Sequence, residues 1–356
     1  MNDSSRSHAA PLALIVAALG LAGCQGGTSV PATPGYGSGG ASAQNHHVSR
    51  SYVPACPCLY VSNLVTISGT AGSITIYPTT ATGNFNPGSN VITGSITGLN
   101  YPAGVAVDTA NKIYVANQGG ASSIGSITIY SAGAAGNVAS VQTISGTLTG
   151  LMGTSGITVN PGNGDIFATN ATGSVTVYAP TANGNASPIQ TIAGTNTQLS
   201  TPIGIAVGSN KIYVANAGSS AVTVYPLTAN GNVSPSQVIS GTNTGINGGA
   251  YGVAWHNNGK IYVTSALSEV SIFNNTANGN VAPMKSLSGS VTLLNRPIGI
   301  GVAAGGRIFV VDGGSTSVTA YRRFALLSPG NNNVAPVRNL NGTNTQLSVP
   351  WGIAVR

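Results

Sequence analysis

Charged side chains are scarce in this 356-residue chain, at 5% of the residues, and aromatic side chains contribute only 6%. Helical bundles and coiled coils need many Glu, Lys, Arg and Leu, so this composition excludes both. The chain instead holds 50 Gly and 19 Pro among many Ser, Thr, Asn, Val and Ile, which are residues of turns and strands. Hydrophobic residues make up 42% of the chain, enough to bury a large core, so disorder throughout is also excluded.

Motifs of catalytic chemistry are equally scarce. The chain has no His-Glu-x-x-His, no Gly-x-Ser-x-Gly and no phosphate-binding Gly-Lys-Ser/Thr loop. After residue 23, the acidic side chains are limited to Asp108, Asp165, Glu269 and Asp312, which nearly excludes paired-carboxylate catalysis. We therefore predict no catalytic residue and no firm metal site.

The net charge of +7 comes from 12 Lys and Arg against 5 Asp and Glu. The basic residues are scattered, and Arg322 and Arg323 are the one adjacent pair. A basic track with interleaved aromatics is therefore not expected, and we predict no nucleic-acid partner. Mild positive charge is compatible with an anionic envelope surface.

The pattern of the first 23 residues predicts a targeting signal. Residues 11–21 form an apolar run of eleven, too short to span a bilayer, and small residues follow. The run ends in Leu21-Ala22-Gly23-Cys24, which resembles the lipobox of bacterial lipoproteins. That resemblance implies cleavage before Cys24, lipidation of its thiol and, because Gln25 follows, location at the outer membrane or cell surface. The alternative is an ordinary signal peptide that happens to end near a Cys.

Residues 24–52 are rich in Gly, Ser, Pro and Ala without apolar periodicity, so they are predicted to form a flexible tether between the anchor and the domain. His46 and His47 lack a third nearby ligand for a metal ion. Cys56 and Cys58 are separated by one residue, so a disulfide between them would be strained; an oxidised strap or two unlinked thiols are both preferred to a redox site.

Residues 53–356 repeat with a period near fifty. Each repeat has a strand like Ile212 to Asn216 (IYVAN), then a strand like Val222 to Tyr225 (VTVY), and in five repeats a Gly-Asn turn six residues later, as at Gly231-Asn232. Short strands at this period predict propeller blades. We predict an all-β, six-bladed β-propeller in which residues 350–355 complete the first blade, since that blade lacks its own innermost strand.

The recurring segments Pro202 to Val207, Ile212 to Asn216 and Val222 to Tyr225 are similar to NHL-repeat and YVTN-type β-propellers. This resemblance implies the fold and leaves function open, because such propellers include binding modules, lactonases and lyases. RNA-binding NHL domains have a strongly basic face, which the scattered charges here do not predict. Lactonases of this architecture hold a divalent cation with acidic and amide groups at the inner-strand starts, where this chain has no carboxylate.

Two groups of residues are predicted near one mouth of the channel. The first ends the second strand of each blade: Asn63, Asn117, Asn170, Asn216, Ser265 and Asp312. These side chains either cap the following turn, or they form a polar ring able to bind a cation or a sugar hydroxyl. The second group, Tyr251 and Trp351, forms either an aromatic lip for a ligand or core packing between blades.

In the last repeat, residues 322–327 contain a five-residue insertion, and Arg322, Arg323 and Phe324 lie in this segment. Exposed basic and apolar groups in an insertion predict either a partner contact or a local hydrophobic plug.

Taken together, these features predict a lipid-anchored envelope propeller that binds or scaffolds an envelope protein or a glycan. The alternative is a metal-dependent lactonase- or lyase-like enzyme at the polar mouth, with a divalent cation as its cofactor. A third reading, a purely structural envelope protein, requires no ligand.

Overall fold

The structure is a computed structural model that describes residues 58–66, 72–120 and 124–356. The described chain is made of strands and short 3-10 turns (Thr195–Thr197, Thr242–Thr244, Phe324–Leu326 and Thr343–Thr345), so the all-β prediction is confirmed. None of its helices has the length and apolar character needed to cross a membrane.

The strands form six sheets, one per blade, and chain order runs from the channel outward in blades two to six. Blade one begins with β1 (Cys58–Asn63), β2 (Ser73–Pro78) and β3 (Val91–Ile92). Blade two has β4 (Pro102–Val107), β5 (Ile113–Asn117), β6 (Ser126–Tyr130) and β7 (Gln142–Ser145). Blade three has β8 (Thr154–Val159), β9 (Ile166–Asn170), β10 (Ser174–Tyr178) and β11 (Gln190–Ala193).

Blade four contains β12 (Pro202–Gly208), β13 (Lys211–Asn216), β14 (Ala221–Pro226) and β15 (Gln237–Ile239). Blade five contains β16 (Ala250–His256), β17 (Lys260–Ser265), β18 (Glu269–Asn274) and β19 (Lys285–Leu287). Blade six contains β20 (Pro297–Val302), β21 (Ile308–Asp312), β22 (Ser317–Tyr321) and β24 (Arg338–Leu340), while β23 (Gly330–Asn332) adds a fifth, parallel strand to blade five beside β19.

The ring closes as predicted. The last strand, β25 (Pro350–Val355), pairs antiparallel with β1, so Leu59 lies opposite Val355 and Asn63 opposite Pro350. The backbone N–H of Cys58 donates to the carbonyl of Arg356 at 2.7 Å, and the reverse bond is 2.9 Å. Closure of this kind pairs the first and last elements and removes exposed edges at the centre.

The hydrophobic core lies between neighbouring blades. One cluster packs Tyr60, Ile74 and Ile92 of blade one against Val105 and Val115 of blade two, and five further clusters fill the other blade junctions. The third-strand aromatics are fully buried there. Period-2 alternation places apolar side chains on both faces of each sheet, because each face meets a neighbouring blade.

Those aromatics also hold the loops. The Tyr130 hydroxyl donates to the Thr97 carbonyl, 2.6 Å away in the loop that enters blade two, and Tyr77, Tyr178, Tyr225 and Tyr321 bond the equivalent Thr carbonyls. Burial raises the pKa of Tyr130 to about 12. Phe273 of blade five has no hydroxyl for this bond.

The inner strands meet backbone to backbone around the axis. A Cβ on Gly156 would lie 2.2 Å from the carbonyl oxygen of Ile203 in the next blade, so no side chain fits. The same approach recurs around the ring, with distances of 2.4–2.6 Å from Gly104 to Ser155, Gly204 to Tyr251, Gly252 to Ile298, Gly299 to Trp351 and Gly352 to Ala103. Glycine is therefore a steric requirement at this position of every blade.

Hydroxyl groups reinforce this contact in alternate blades. The Thr169 side chain accepts from the Gly156 N–H at 2.8 Å and donates to the Ile203 carbonyl at 2.6 Å. Thr264 and Ser62 make the equivalent bridges in blades five and one. The bridges fill the point where the pairing of inner and second strands shifts register.

The Gly-Asn turns fasten the outer rim, which their sequence alone does not reveal. Gly136 of blade two forms a parallel bridge with Ile92 of blade one, and the Asn137 Oδ1 accepts from the Ile96 N–H at 3.0 Å. Gly94, with φ of +124°, makes room for the Asn137 side chain, since an added Cβ would lie 2.4 Å from it. Equivalent contacts join the other neighbouring blades, including Asn84 to Asn344 between blades one and six.

We predict that Gly156→Ala lowers the free energy of unfolding by about 1–3 kcal/mol or more, because the new methyl group must displace backbone in the adjacent blade. Denaturant titration of the folded chain measures this. The matched control is Gly162→Ala, where the nearest atom to an added Cβ is the Asn160 Oδ1 at 3.4 Å, and we expect a change within about 0.5 kcal/mol. Equal effects of the two substitutions would contradict the steric argument.

Candidate functional site

The six polar residues that end the second strands are fully buried loop caps. The Asn117 Oδ1 accepts from the backbone N–H of Asn100 at 3.1 Å, in the loop that leads into the inner strand of the same blade. Asn63, Asn170, Asn216, Ser265 and Asp312 accept equivalent bonds from Ser348, Met152, Ser200, Asn247 and Asn295. The capped loop precedes the inner strand, whereas the sequence reading placed the cap on the following turn. The expectation of a polar ring open to the channel is corrected, since these side chains are buried and do not line it.

Their remaining hydrogen-bonding groups point into the blades. The Asn216 amide nitrogen donates to the Thr223 hydroxyl at 3.0 Å on the third strand, and Asn63, Asn117 and Asn170 make the same bond to Thr75, Thr128 and Thr176. Because their oxygens already accept backbone N–H groups, these residues do not fit a divalent cation. No group of three His, Cys, Asp or Glu side chains suitable for a metal occurs in the described part of the chain.

Asp312 places a carboxyl group where four other blades have an amide. Its Oδ1 accepts from the Asn295 N–H at 3.2 Å and its Oδ2 accepts from the Thr319 hydroxyl at 2.8 Å. Burial raises the pKa of Asp312 to about 7, although both hydrogen bonds lower it. The protonation state of a capping group in blade six therefore changes near neutral pH.

Blade five is the other exception to the capping pattern. Ser265 is too short to reach the third strand, and Glu269 lies opposite it and accepts from the Ser271 hydroxyl at 3.2 Å. Burial raises the pKa of this half-buried carboxyl group. Because it lies opposite Ser265 and bonds Ser271 of the third strand, the Glu269 carboxyl group occupies the region that an Asn amide fills in most other blades.

The central channel is narrow. Inner-strand residues line it, and its cavity volume is about 70 Å³, small beside the roughly 300–1,000 Å³ of ordinary ligand pockets. Tyr251 and Trp351 are half-buried and contribute to this lining, while Ile298 lies between them in blade six. Tyr251 and Trp351 are thus part of the channel wall.

The backbone is strained at one position in most blades around the same mouth. The residue before each inner strand has positive φ in all six blades, and it carries a side chain at Tyr101 (53°), Thr201 (47°), Arg296 (53°) and Val349 (50°). Bulky and β-branched residues rarely adopt this conformation. Such strain persists when the surrounding structure over-determines the backbone, and the caps described above supply that constraint.

We call one side of the propeller the upper face. It carries the loops that lead into the inner strands and the loops that connect the second strands to the third strands. Apolar side chains are exposed there, including Ile124 (61%), Leu148 (60%) and Leu267 (68%). Ile124 forms a bridge with Met152, so apolar groups of blades two and three are adjacent. Arg296 is the one basic residue of this face within the described ranges, and its acidic residues, Glu269 and Asp312, are half-buried and buried. Sequence reasoning missed this face, because its residues are far apart in the chain.

The opposite side, with the loops that leave the inner and third strands, is the lower face. Nine of the ten basic residues in the described chain lie there, at the lower ends of strands or in the adjoining loops, and two acidic residues, Asp108 and Asp165, accompany them. The nine are Lys112, Lys211, Lys260, Lys285, Arg307, Arg322, Arg323, Arg338 and Arg356. The scattered positions of these residues in the sequence do not predict this distribution, because it is the fold that brings residues from separate strands to one side.

The blade-six insertion packs against blade five on the lower face. Lys285 donates to the Phe324 carbonyl at 2.9 Å and to the Leu327 carbonyl at 2.5 Å, and its ammonium lies 4.2 Å from the centre of the Phe324 ring. Leu327 is buried in the cluster between these blades, with Phe324 packed against it. The insertion therefore plugs this junction, while Arg322 and Arg323 remain exposed.

Several sequence-predicted features lie outside the described residues. These are the signal segment 1–23, Cys24, the tether 24–52 with His46 and His47, and Cys56. Cys58 is described, and it is buried at the start of β1.

Comparisons with known proteins identify the fold. The chain is similar to a chain in the crystal structure of a nidogen/laminin complex, with a TM-score of 0.58 and 14% identity over 84% of this chain and 97% of that one. It is also similar to the WD40 β-propeller domain of Doa1, with a TM-score of 0.52 and 12% identity over 82% and 80% of the two chains. No protein-family model matches the chain. No curated protein matches it either. The chain is therefore a β-propeller by structure.

We predict that Asp312→Asn raises the free energy of unfolding at pH 8 by about 1–3 kcal/mol, since an amide keeps both partners without burying a charge. In the wild type, the folded pKa of about 7 exceeds the unfolded value near 4. The folded state therefore binds more protons between pH 4 and pH 7, and stability falls as the pH rises through that window. Denaturant titrations at pH 4, 6 and 8 measure the difference, which should vanish near pH 4.

The reciprocal substitution, Asn216→Asp, is the matched control for this prediction. It should introduce the same loss of stability between pH 4 and pH 7 in blade four. An unchanged pH dependence in Asp312→Asn would contradict the assignment of the titration to this carboxyl group.

Proposed function

We propose that this chain is a lipid-anchored envelope propeller that binds a protein partner through its upper face. The observation that carries the proposal is the composition of that face, which is poor in charge and rich in exposed apolar side chains. Protein interfaces are depleted of charged residues at their centre and enriched in aromatic residues, Met and Arg. The upper face has Tyr101, Tyr251, Trp351, Met152 and Arg296 around or near the channel mouth.

The arrangement of the apolar groups favours a protein over a glycan. They extend beyond the aromatic pair at the mouth and occur at most of the blade junctions, at Ile96, Ile124, Leu148, Met152, Leu267, Val291, Leu293 and Val349. Where such groups are adjacent, as Ile124 and Met152 are, they form the contiguous apolar patch that marks a surface for another protein. The small channel volume also argues against a buried small-molecule substrate.

The alternative of a metal-dependent lactonase or lyase receives no support from the site. Its proposed ligands are the six capping residues, whose oxygens accept loop N–H groups. The fold by itself allows either function.

The similar structures are compatible with a binding role. One is a chain in a crystal structure of a protein complex, between nidogen and laminin. At 14% identity this likeness concerns the fold. The repeated Pro-x-Gly-Ile-Ala-Val and Ile-Tyr-Val-Ala-Asn segments add the resemblance to NHL-repeat and YVTN-type propellers.

The anchor is supported by the sequence around Cys24. An apolar run that ends in Leu-Ala-Gly-Cys favours cleavage before Cys24 and acylation of its thiol, which would hold the propeller at the outer membrane or cell surface.

We predict that a photo-crosslinking residue in place of Leu148 captures a protein of defined mass in intact cells. Adding Ile124→Ser and Met152→Ser should lower the adduct yield several-fold, because the apolar contact next to the crosslinker is lost. Gel shift and mass spectrometry of the adduct measure both results.

Ile189 is the matched control, since it is 53% exposed but immediately precedes β11, the fourth strand of blade three, on the lower, outer rim. A crosslinker there should give little of the same adduct. Equal capture from positions 148 and 189 would remove the case for the upper face.

We predict that a radiolabelled fatty acid is incorporated into the wild-type chain and that Cys24→Ala abolishes the label. Cys56→Ala serves as the control and should remain labelled. Incorporation of label into Cys24→Ala would show that the lipobox reading is wrong.

A further inference from the structure

The two faces of the propeller differ sharply in charge. Among the residues that the structure describes, the lower face has nine basic and two acidic side chains, a formal charge of +7, whereas the upper face has one basic and two acidic side chains, a formal charge of −1. Both lower-face carboxylates are engaged in their own loops, where Asp108 accepts from the Lys112 N–H at 2.8 Å and Asp165 from the Asn163 amide at 2.5 Å. The net charge of the domain therefore belongs to one side.

The basic residues are concentrated on blades five and six. Lys260, Lys285, Arg307, Arg322, Arg323 and Arg338 lie there. Arg323 is next to the Gly305–Gly306 turn that precedes Arg307, because an added Cβ on Gly305 would be 3.6 Å from its guanidinium. The partners of Lys260 and Lys285 are a neutral amide oxygen and backbone carbonyls, so these bonds leave their charge in place.

An apolar group projects from the middle of this patch. Leu326 is 66% exposed, two residues beyond the plugging Phe324, and it borders a groove of about 360 Å³ with Arg322 and Val334 on its walls. An exposed Leu flanked by Arg residues is the combination that enters the boundary between lipid headgroups and acyl chains.

The chain enters the propeller on this same side. Cys58 begins β1 next to Arg356, at the lower end of blade one. If Cys24 is acylated, as proposed above, the predicted tether connects the lipid anchor to the basic face. One anchor and one basic patch are the two elements that together give stable membrane attachment.

We propose that the lower face, centred on Arg322, Arg323 and Leu326, docks on the surface of an anionic phospholipid bilayer. This inference rests in part on the proposed lipid anchor, and it defines an orientation in which the upper face points away from the membrane. A nucleic acid is the less favoured polyanion. Single strands stack their bases on open aromatic rings, whereas Lys285 lies over the ring of Phe324 and that ring packs in a T-shaped contact with Tyr262.

The test is cosedimentation of the full chain carrying Cys24→Ala, so that binding does not depend on acylation. The vesicles contain either phosphatidylcholine alone or 30% phosphatidylglycerol in phosphatidylcholine. We expect clear preference for the anionic vesicles at low salt and loss of that preference at high salt. Arg322→Ser with Arg323→Ser should weaken binding by about tenfold.

Arg296→Ser is the matched control, since it removes an exposed Arg from the upper face and should change binding less than about twofold. Leu326→Ser should weaken binding several-fold and leave the salt dependence unchanged. All variants should share the wild-type thermal midpoint, because the substituted side chains are exposed.

Equal binding to both kinds of vesicle, or equal loss in Arg296→Ser and the double variant, would overturn the proposal. A single-stranded RNA of 30 nucleotides is the second probe. Tighter binding to this RNA than to vesicles, abolished by the double variant, would replace the bilayer with a nucleic acid. These results are independent of the crosslinks from position 148, so a failed docking surface and a failed partner face can be told apart.

Discussion

The close approach of six inner strands around the axis is the contact on which the rest of the molecule depends. Glycine at each contact lets a backbone carbonyl of the next blade occupy the place of a Cβ, as Ile203 does at Gly156. The blades converge until little space is left in the channel. Because a channel of this size holds no ordinary substrate, the surfaces available for function are the two faces and the rim.

Hydrogen bonds hold neighbouring blades together at two further distances from the axis, through the loops that connect one blade to the next and through turns at the outer rim. Near the middle, buried tyrosines such as Tyr130 bond the loop that enters their own blade, and buried amides such as Asn117 cap the same loop. At the rim, the Gly-Asn turns bridge to the outer strand of the preceding blade. These bonds satisfy buried polar groups and hold strained residues such as Val349 in place. The loops of the upper face are therefore held in place by the buried side chains beneath them.

The two faces that result have different chemistry. The upper loops are short of charge and expose apolar groups, while the lower loops and strand ends collect basic residues that are up to 244 positions apart, from Lys112 to Arg356. A protein partner above and an anionic surface below are the partners that we propose for these faces. Since both faces are set by the same blades, the two contacts can be made at once.

The sequence by itself determined the six-bladed fold and its closure, because the spacing of IYVAN and VTVY strands and of glycines repeats the local requirements of each blade. The sequence also allowed two interpretations of the Asn, Ser and Asp residues that end the second strands, either as loop caps or as a polar ring, and only the tertiary structure decided between them. The backbone N–H groups that they accept from lie 16 to 18 residues away in the chain, or 285 residues away at Asn63, where the ring closes. The basic face was decided in the same way. Scattered lysines and arginines share a face because strand direction alternates, so residues at the start of one strand and the end of the next reach the same side. Local pattern fixes what each blade is, and the packing of blades decides what their loops and charges together can bind.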